Sequence, residues 1–187
     1  MEAIECIFTR QSVSKMRSDP ISKETIQQLL EAAVQAPNHY RVRPWRFVVI
    51  SGESRVRLGE VMAQALLQRQ PESTPGALEK ERNRPLRAPV LIAVGVDHPV
   101  ENKVLEIENV CAAAAAVQNM LLAAHASGLG AMWRTGQVAY NAEIKSFLGF
   151  DPTQHLIGYV YIGYPEAPLP PPQRPDHTDR TIWMEDL

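Results

Sequence analysis

The chain has 187 residues, 45% of them hydrophobic, and its formal net charge at pH 7 is −2. A chain of this length suits one domain with a substantial buried core, so residues 1–187 are treated as a single domain. The near-neutral charge provides no basic surface of the kind that attracts nucleic acid or anionic lipid. We therefore expect a globular protein with neither nucleic acid nor a membrane as its partner.

The cysteines and the N-terminus bear on cellular location. Cys6 and Cys111 lie far apart, among apolar residues of predicted helices, and form no C-x-x-C motif. We interpret both as reduced core residues. The N-terminus carries Glu2 and Glu5 where a signal peptide has a basic region. These features predict a cytoplasmic protein.

The first strongly patterned segment is an amphipathic helix. Ser22 is placed to cap this helix, which begins at Lys23. Apolar residues at helical spacing then fall on one face: Ile26, Leu29, Leu30, Ala33 and Val34. Pro37 restricts the residue before it and cannot continue a helix, so the helix must end ahead of this proline.

A polar loop follows the helix and leads into an apolar strand. The run Phe47 to Ile50 contains β-branched residues and predicts a short central strand. The loop before it displays four polar side chains: Asn38, His39, Arg41 and Arg43. Polar groups on a loop anchored at both ends are typical of binding sites, and an ordinary connection between a helix and a strand is the alternative.

The middle of the chain alternates helices and strands. Glu53 to Gln70 predicts an amphipathic helix, followed by a loop over Pro71 to Gly76 and a charged helical segment over Ala77 to Arg84. Val90 to Val94 predicts a second buried strand. The long segment Val104 to Ser127 predicts a helix that is too weakly hydrophobic to span a membrane, and we expect it to be buried.

The last third of the chain predicts two more strands and a tail. Leu129 to Arg134 and Leu156 to Ile162 are the strands, and Asn141 is placed to cap a short helix between them. The tail from Pro165 to Leu187 is rich in proline, so we expect it to be stiff and extended. The alternation of helices and strands indicates an α+β fold or a three-layer sandwich.

Four short motifs in chain order resemble the nitroreductase family of FMN-dependent oxidoreductases, in particular its small members of about this length. The motifs are Arg10-Gln11-Ser12, Ala36-Pro37 with Pro44-Trp45, Gly128 to Gly136, and Gly158 to Pro165. No single motif is specific, but the occurrence of all four in this order makes coincidence unlikely. The resemblance runs from Arg10 to Trp183.

The resemblance implies a fold and an assembly. The fold is a three-layer α/β/α sandwich with a central, mostly antiparallel sheet. The assembly is a homodimer with FMN at the subunit interface, and the extended tail over residues 165–187 wraps the partner subunit. The alanine-rich long helix and the apolar end of the tail, which need a surface to cover them, fit this expectation.

The resemblance also implies an activity. The protein would use NADH or NADPH to reduce nitroaromatics, quinones or similar electron-poor acceptors by a ping-pong mechanism. The chain lacks the G-x-G-x-x-G fingerprint, so NAD(P)H is expected as a diffusing reductant. FMN carries the chemistry, so we expect neither a catalytic side chain nor a metal. An FMN-binding protein on the same scaffold without turnover, with a storage or regulatory role, is the alternative.

The family pattern assigns cofactor-binding residues at both ends of the chain. Arg10, Gln11 and Ser12 match the segment that holds the phosphate and the ring edge, with Arg10 as a bidentate donor. The alternative for this segment is an exposed arginine beside a helix cap. The family's tail often brings a basic residue to the phosphate, and Arg174 is the candidate.

Other assigned residues face the flavin ring. Gln35, Asn38 and His39 match positions that contact the flavin of the partner subunit, and we assign His39 a hydrogen-bonding role without proton transfer. At the end of the third strand, Trp133 would lie against the ring, although core packing is its alternative. Arg134 would point to the phosphate or the ribityl chain, and a backbone N–H of Thr135 or Gly136 would reach N5 of the flavin.

Three features depart from the family pattern or extend it. Many members carry a lysine at the position of Ser14, whereas here Lys15 comes one residue later. Arg41 and Arg43 stand where Asn and Gln are usual, and we hypothesise that Arg41 supplies positive charge at the N1/O2 edge of the flavin. Residues 71–84 are a candidate lid.

Overall fold

A four-stranded antiparallel sheet lies at the centre of the computed structural model, which describes residues 1–100 and 103–184. The strands are β1 (Trp45–Ser51), β2 (Val90–Val96), β3 (Gly130–Arg134) and β4 (His155–Gly163). Their order across the sheet is β1-β2-β4-β3. Among the described residues, β2 and β4 are therefore the inner strands, and β1 and β3 form the edges.

The expectation that β1 is a central strand was wrong. Its residues Arg46 and Val49 are exposed, as befits an edge. Phe47 packs into the core on one face of the sheet, and Val48 and Ile50 pack into the core on the other. A strand that contacts two helical layers has the same apolar composition as a central strand, so composition did not reveal its position.

Helices cover both faces of the sheet. Within the described residues they are α1 (Ala3–Thr9), α2 (Lys23–Ala33), α3 (Glu53–Arg69), α4 (Pro75–Arg82), α5 (Glu106–Ala126), α6 (Gln137–Tyr140) and α7 (Ala142–Phe147). Helices α2 and α5 share one hydrophobic core with the sheet, and α3 and α7 share the other. Along β2, Ile92 and Val94 face the α5 side, while Leu91 and Ala93 face the α3 side. The predicted three-layer α/β/α sandwich is thereby confirmed.

The predicted helix caps are present. The Ser22 hydroxyl accepts a hydrogen bond from the backbone N–H of Thr25 at 3.1 Å. The Asn141 side chain accepts one from the backbone N–H of Ile144 at 3.0 Å. Helix α2 ends at Ala33, so Val34 lies beyond its last residue and is exposed, contrary to the inward position expected for it.

Helix α5 is the central helix of its layer. By length and composition it is the one helix among the described residues that could cross a membrane, with a mean hydropathy of 1.3 over its most apolar window. Its residues Ala113, Ala116 and Val117 are fully buried in the core, as predicted for this helix. Its outer side is partly exposed, and Cys111 lies there.

The expectation for the two cysteines was therefore only half correct, because Cys6 is buried and Cys111 is exposed. In the described part of the chain both are free thiols. The run of alanines around Cys111 is apolar on every side, so helical periodicity could not show which face of α5 is covered.

The candidate lid lies on the opposite layer from α5. Thr74 caps α4, its hydroxyl accepting a hydrogen bond from the backbone N–H of Ala77 at 3.2 Å. A Cβ atom on Gly59 of α3 would overlap the carbonyl oxygen of Arg82, so the absence of a side chain lets α4 pack directly on α3. A lid role for residues 71–84 stays a prediction.

Candidate functional site

The segment after α1 is fixed along the edge strand β3. Ser12 forms a parallel bridge with Ala131, and the backbone N–H of Val13 donates to the Ala131 carbonyl at 3.0 Å. A Cβ atom on Gly130 would overlap the Val13 side chain, so the glycine permits this close approach. The backbone around Arg10 is thus held by the sheet itself.

The tail brings a second arginine to Arg10. The guanidinium of Arg174 donates to the Arg10 carbonyl oxygen at 2.8 Å, and the Gln11 side-chain amide donates to the Pro170 carbonyl at 2.7 Å. Burial, and next the positive charge of Arg174, lower the pKa of the Arg10 guanidinium. A partly buried cation at Arg10 and an exposed one at Arg174 together favour an anionic ligand between them.

No acidic side chain among the described residues forms an ion pair with Arg10 or Arg174. A cavity of about 740 Å³ opens between the N-terminal segment and the proline-rich tail, and neither Arg10 nor Arg174 is among the residues that line it. Gln11, Val13 and Leu129 line it on one side, and residues 165–172 line it on the other. Its volume lies within the range of small-molecule sites.

The loop before β1 has an unusual backbone. Tyr40, Arg41 and Arg43 have φ angles of 49°, 57° and 51°, in the left-handed region that side chains with a Cβ rarely adopt. Each such residue costs about 1 kcal/mol. The Asn38 side chain accepts a hydrogen bond from the backbone N–H of Arg43 at 2.9 Å and so closes the loop. Backbone strain of this kind is concentrated at functional sites.

His39 on this loop contacts helix α5. Its Nδ1 atom lies 2.8 Å from Oε1 of Glu108, in the first turn of the helix. Around this pair is a cavity of about 370 Å³, lined by Pro37, Asn38 and His39 and by α5 residues that include Cys111. Glu108 was missed from the sequence, because nothing local links it to a residue so far away along the chain.

Trp133 and Arg134 lie at the end of β3. Trp133 is 36% exposed, so it is not a fully buried core residue, and its role beside a flavin stays a prediction. Its indole N–H donates to the Ile157 carbonyl at 3.0 Å, which orients the ring. Thr135 is exposed, and Gly136 has a φ of 109° and precedes α6.

Arg134 has a buried aromatic neighbour that the sequence did not reveal. Its guanidinium lies 5.4 Å from the ring centroid of Tyr161, a cation–π contact. Burial raises the pKa of Tyr161 to about 12, so its hydroxyl stays neutral at physiological pH. Tyr161 therefore presents a neutral aromatic ring to the Arg134 guanidinium. The alternation of side chains along β4 predicts only the face of the sheet on which Tyr161 lies.

The predicted residues fall into separate groups within one chain. Arg10, Gln11, Ser12 and Arg174 lie near the C-terminal end of β4, since Gly130 of β3 pairs with Gly163. The loop with Asn38, His39 and Arg41 lies beyond the N-terminal end of β4, since Trp45 pairs with Val96, and Val96 with His155. At the usual rise per residue, these ends are roughly 25 Å apart.

Gln35 belongs to neither group. Its side-chain amide donates to the Glu31 carbonyl at 3.3 Å, and it lines another cavity, of about 400 Å³, between α1, α2 and α5. One copy of the chain thus does not assemble the twelve predicted residues into a single crevice.

The fold and the cationic pair together define a class: three-layer α+β proteins with two neighbouring arginines beside the N-terminal segment. Residues 7–164 match the family model described as the Nitroreductase family. The chain belongs to this family, as the four motifs predicted.

Known relatives agree in length and fold. The Escherichia coli (strain K12) protein named "Putative NAD(P)H nitroreductase YdjA" is 33% identical over 166 residues, which is 89% of this chain and 90% of that protein. A nitroreductase-like family protein from Bacillus cereus superposes with a TM-score of 0.86 at 25% identity, covering 100% of this chain and 97% of that one. A Desulfovibrio desulfuricans protein solved in complex with FMN has a TM-score of 0.72 at 28% identity, covering 98% and 96%.

Proposed function

We propose that this protein is an FMN-dependent oxidoreductase of the cytoplasm that uses NAD(P)H to reduce nitroaromatics, quinones or similar electron-poor acceptors. The observation that carries the proposal is the pair formed by Arg10 and Arg174, held together at 2.8 Å through the Arg10 backbone and lacking an acidic partner among the described residues. Membership of the Nitroreductase family and the FMN complex of a structural relative support the same cofactor.

The residues present fit FMN. A phosphate monoester carries a charge of about −1.5 to −2 at neutral pH, which two guanidinium groups can balance. Ser12, exposed beside Arg10, offers a hydroxyl donor to the same group. Trp133 offers an aromatic surface to the flavin ring, and Gly136, with its positive φ of 109°, offers a backbone N–H three residues further along the chain.

FMN, when bound, supplies the two-electron redox chemistry between NAD(P)H and the acceptor, so no side-chain acid or base is required. The protein's own residues would hold and orient the cofactor. Arg10 and Arg174 fix the phosphate, while Arg134, steadied on Tyr161, contributes a third cation. If the reductant and the acceptor use one binding position in turn, the kinetics should be ping-pong.

A homodimer would reconcile the two separated groups of residues. We propose that Asn38 and His39 of one subunit face the flavin held by Arg10 of the other. The exposed large apolar side chains of the described residues include Ile4 and Phe8 on α1, and Ile182 and Trp183 in the tail, and a partner subunit would cover them. The tail prediction extends to Leu187, and residues 185–187 lie outside the described part of the chain.

The colour of the purified protein tests the proposal. A flavin-loaded protein is yellow, and NADH or NADPH added without oxygen should bleach it, after which an electron-poor acceptor should restore the colour. Protein that is yellow but not bleached by either nucleotide would instead be a binding protein without turnover. Protein that takes up no FMN would contradict both.

The assembly has its own test. Dilution should not yield stable monomer in sedimentation experiments, and removing residues 166–187 should cost both FMN and dimerisation. A flavin-loaded monomer without the tail would contradict the shared site.

A further inference from the structure

We propose that Arg43, with Arg41 as a neighbouring positive charge, recognises the 2′-phosphate of NADPH and makes NADPH the preferred reductant. This inference rests on the proposed function and names the substrate that the same site selects. It is carried by the charge and the backbone of the loop over residues 38–43.

The first observation concerns the charges of the two arginines on this loop. Arg41 and Arg43 are exposed, and no acidic side chain in the described ranges pairs with either. Arg46, only three residues further along, is paired with Asp97 at 2.5 Å. Glu108 is within reach of the loop but pairs with His39. As far as the described residues go, both guanidinium groups are therefore available to an anion from solution.

The second observation is that the backbone of Arg43 is held in an energetically unfavourable conformation. Its φ of 51° is in the left-handed region, and its backbone N–H is bound by the Asn38 side chain at 2.9 Å. A relaxed loop would place the arginine elsewhere, so the fold maintains this conformation against the preference of the residue itself. The same hydrogen bond holds the backbone of Arg43 beside Asn38. Asn38 and His39 line the 370 Å³ cavity, and Arg43 is next to this lining without being part of it.

The chemistry of the two arginines indicates which anion they bind. The planar guanidinium offers two parallel N–H donors, which match a terminal phosphate monoester. NADH and NADPH share their pyrophosphate, and only NADPH adds a monoester, so charge at an exposed rim distinguishes the two. Since the small residues Ala112 and Ala115 line the neighbouring cavity, an aromatic ring has room beside the loop.

Steady-state kinetics of the FMN-loaded protein test the proposal. The protein should have a kcat/KM at least tenfold higher with NADPH than with NADH. Arg43→Ala should lower the NADPH value about fivefold, the size of one exposed charge pair, and leave the NADH value within about twofold. Arg43→Gly, which suits the positive φ, guards against misfolding and should behave in the same way. Arg57→Ala, an exposed arginine on α3, is the matched control.

A binding measurement separates this inference from the proposed function. Calorimetry should show adenosine 2′,5′-bisphosphate binding more tightly than 5′-AMP, and Arg43→Ala should abolish the difference without turnover being needed. Equal losses for NADH and NADPH in Arg43→Ala, or a preference of the unaltered protein for NADH, would overturn the inference while bleaching still upheld the reductase. Failure of both nucleotides to bleach the flavin would overturn the proposed function instead.

Discussion

The segment around Arg10 and the loop around Arg41 both present arginines, but they hold them differently. Arg10 follows a helix and precedes a bridge to the sheet at Ser12, and its guanidinium is partly buried beside Arg174. Arg41 lies on a left-handed backbone closed by one side-chain hydrogen bond and is exposed. The first arrangement suits a resident anion, and the second suits one that comes and goes.

The difference has an energetic basis. A charge-assisted hydrogen bond at a partly buried position contributes about 1.5–3 kcal/mol, whereas exposed charge pairs contribute up to about 1 kcal/mol. A cofactor that must stay bound at low protein concentration needs partly buried, charge-assisted hydrogen bonds. A reductant that must leave in each turnover is better served by exposed charge pairs.

The largest expected effect comes from Arg10. Arg10→Ala should weaken FMN binding about 100-fold, because the phosphate loses its partly buried bidentate donor. Fluorescence titration of the apoprotein with FMN measures this. Arg10→Lys keeps the charge and loses the bidentate geometry. Its affinity for FMN should therefore lie between those of the unaltered protein and Arg10→Ala. If Arg10→Ala retains FMN as tightly as the unaltered protein, the resident anion is not at this position.

Arg174 should matter less, because the tail brings it from outside the sheet-bound segment. Arg174→Ala should weaken FMN binding about tenfold, the equivalent of 1.4 kcal/mol. The same titration measures it, with Arg180→Ala, an exposed tail arginine paired with Asp179, as control. Equal losses for the two tail variants would show that the tail acts only through its net charge.

The layer architecture followed from sequence patterns that depend on neighbouring residues. Ser22 and Asn141 cap the helices they were expected to cap, and the four strands occur where apolar runs predicted them, with ends within one or two residues. Such local rules reflect backbone hydrogen bonding and side-chain alternation. They do not report the order of strands, so the edge position of β1 was not foreseen.

The candidate site was harder to predict, because local sequence rules do not report contacts between distant residues. The contacts of His39 with Glu108, of Arg134 with Tyr161 and of Arg174 with Arg10 each join residues remote in sequence. The left-handed backbone at Tyr40 was also unexpected, because neither Tyr nor Arg favours it. Only the tertiary structure shows that the loop is strained.

A smaller effect, on the redox potential of the flavin, is expected from Arg41. If its charge lies at the N1/O2 edge of the partner subunit's flavin, Arg41→Ala removes stabilisation from the reduced, anionic cofactor. The two-electron potential should then fall by about 30 mV, which corresponds to about 1.4 kcal/mol. Anaerobic redox titration measures it, with Arg43→Ala as the paired variant that should leave the potential in place. An unchanged potential in Arg41→Ala would remove this role.

The smallest effect concerns strain in the loop itself. Tyr40 has a φ of 49°, contacts His39 edge to face and lies 4.7 Å below the Lys103 ammonium. Tyr40→Gly and Tyr40→Ala both lose these contacts, but only glycine adopts the left-handed region without a Cβ penalty. The glycine variant should therefore be about 1 kcal/mol more stable than the alanine variant, or roughly 2–4 °C higher in Tm. Equal melting temperatures would mean that the loop relaxes freely, and the contrast with the sheet-bound Arg10 segment would lose its physical basis.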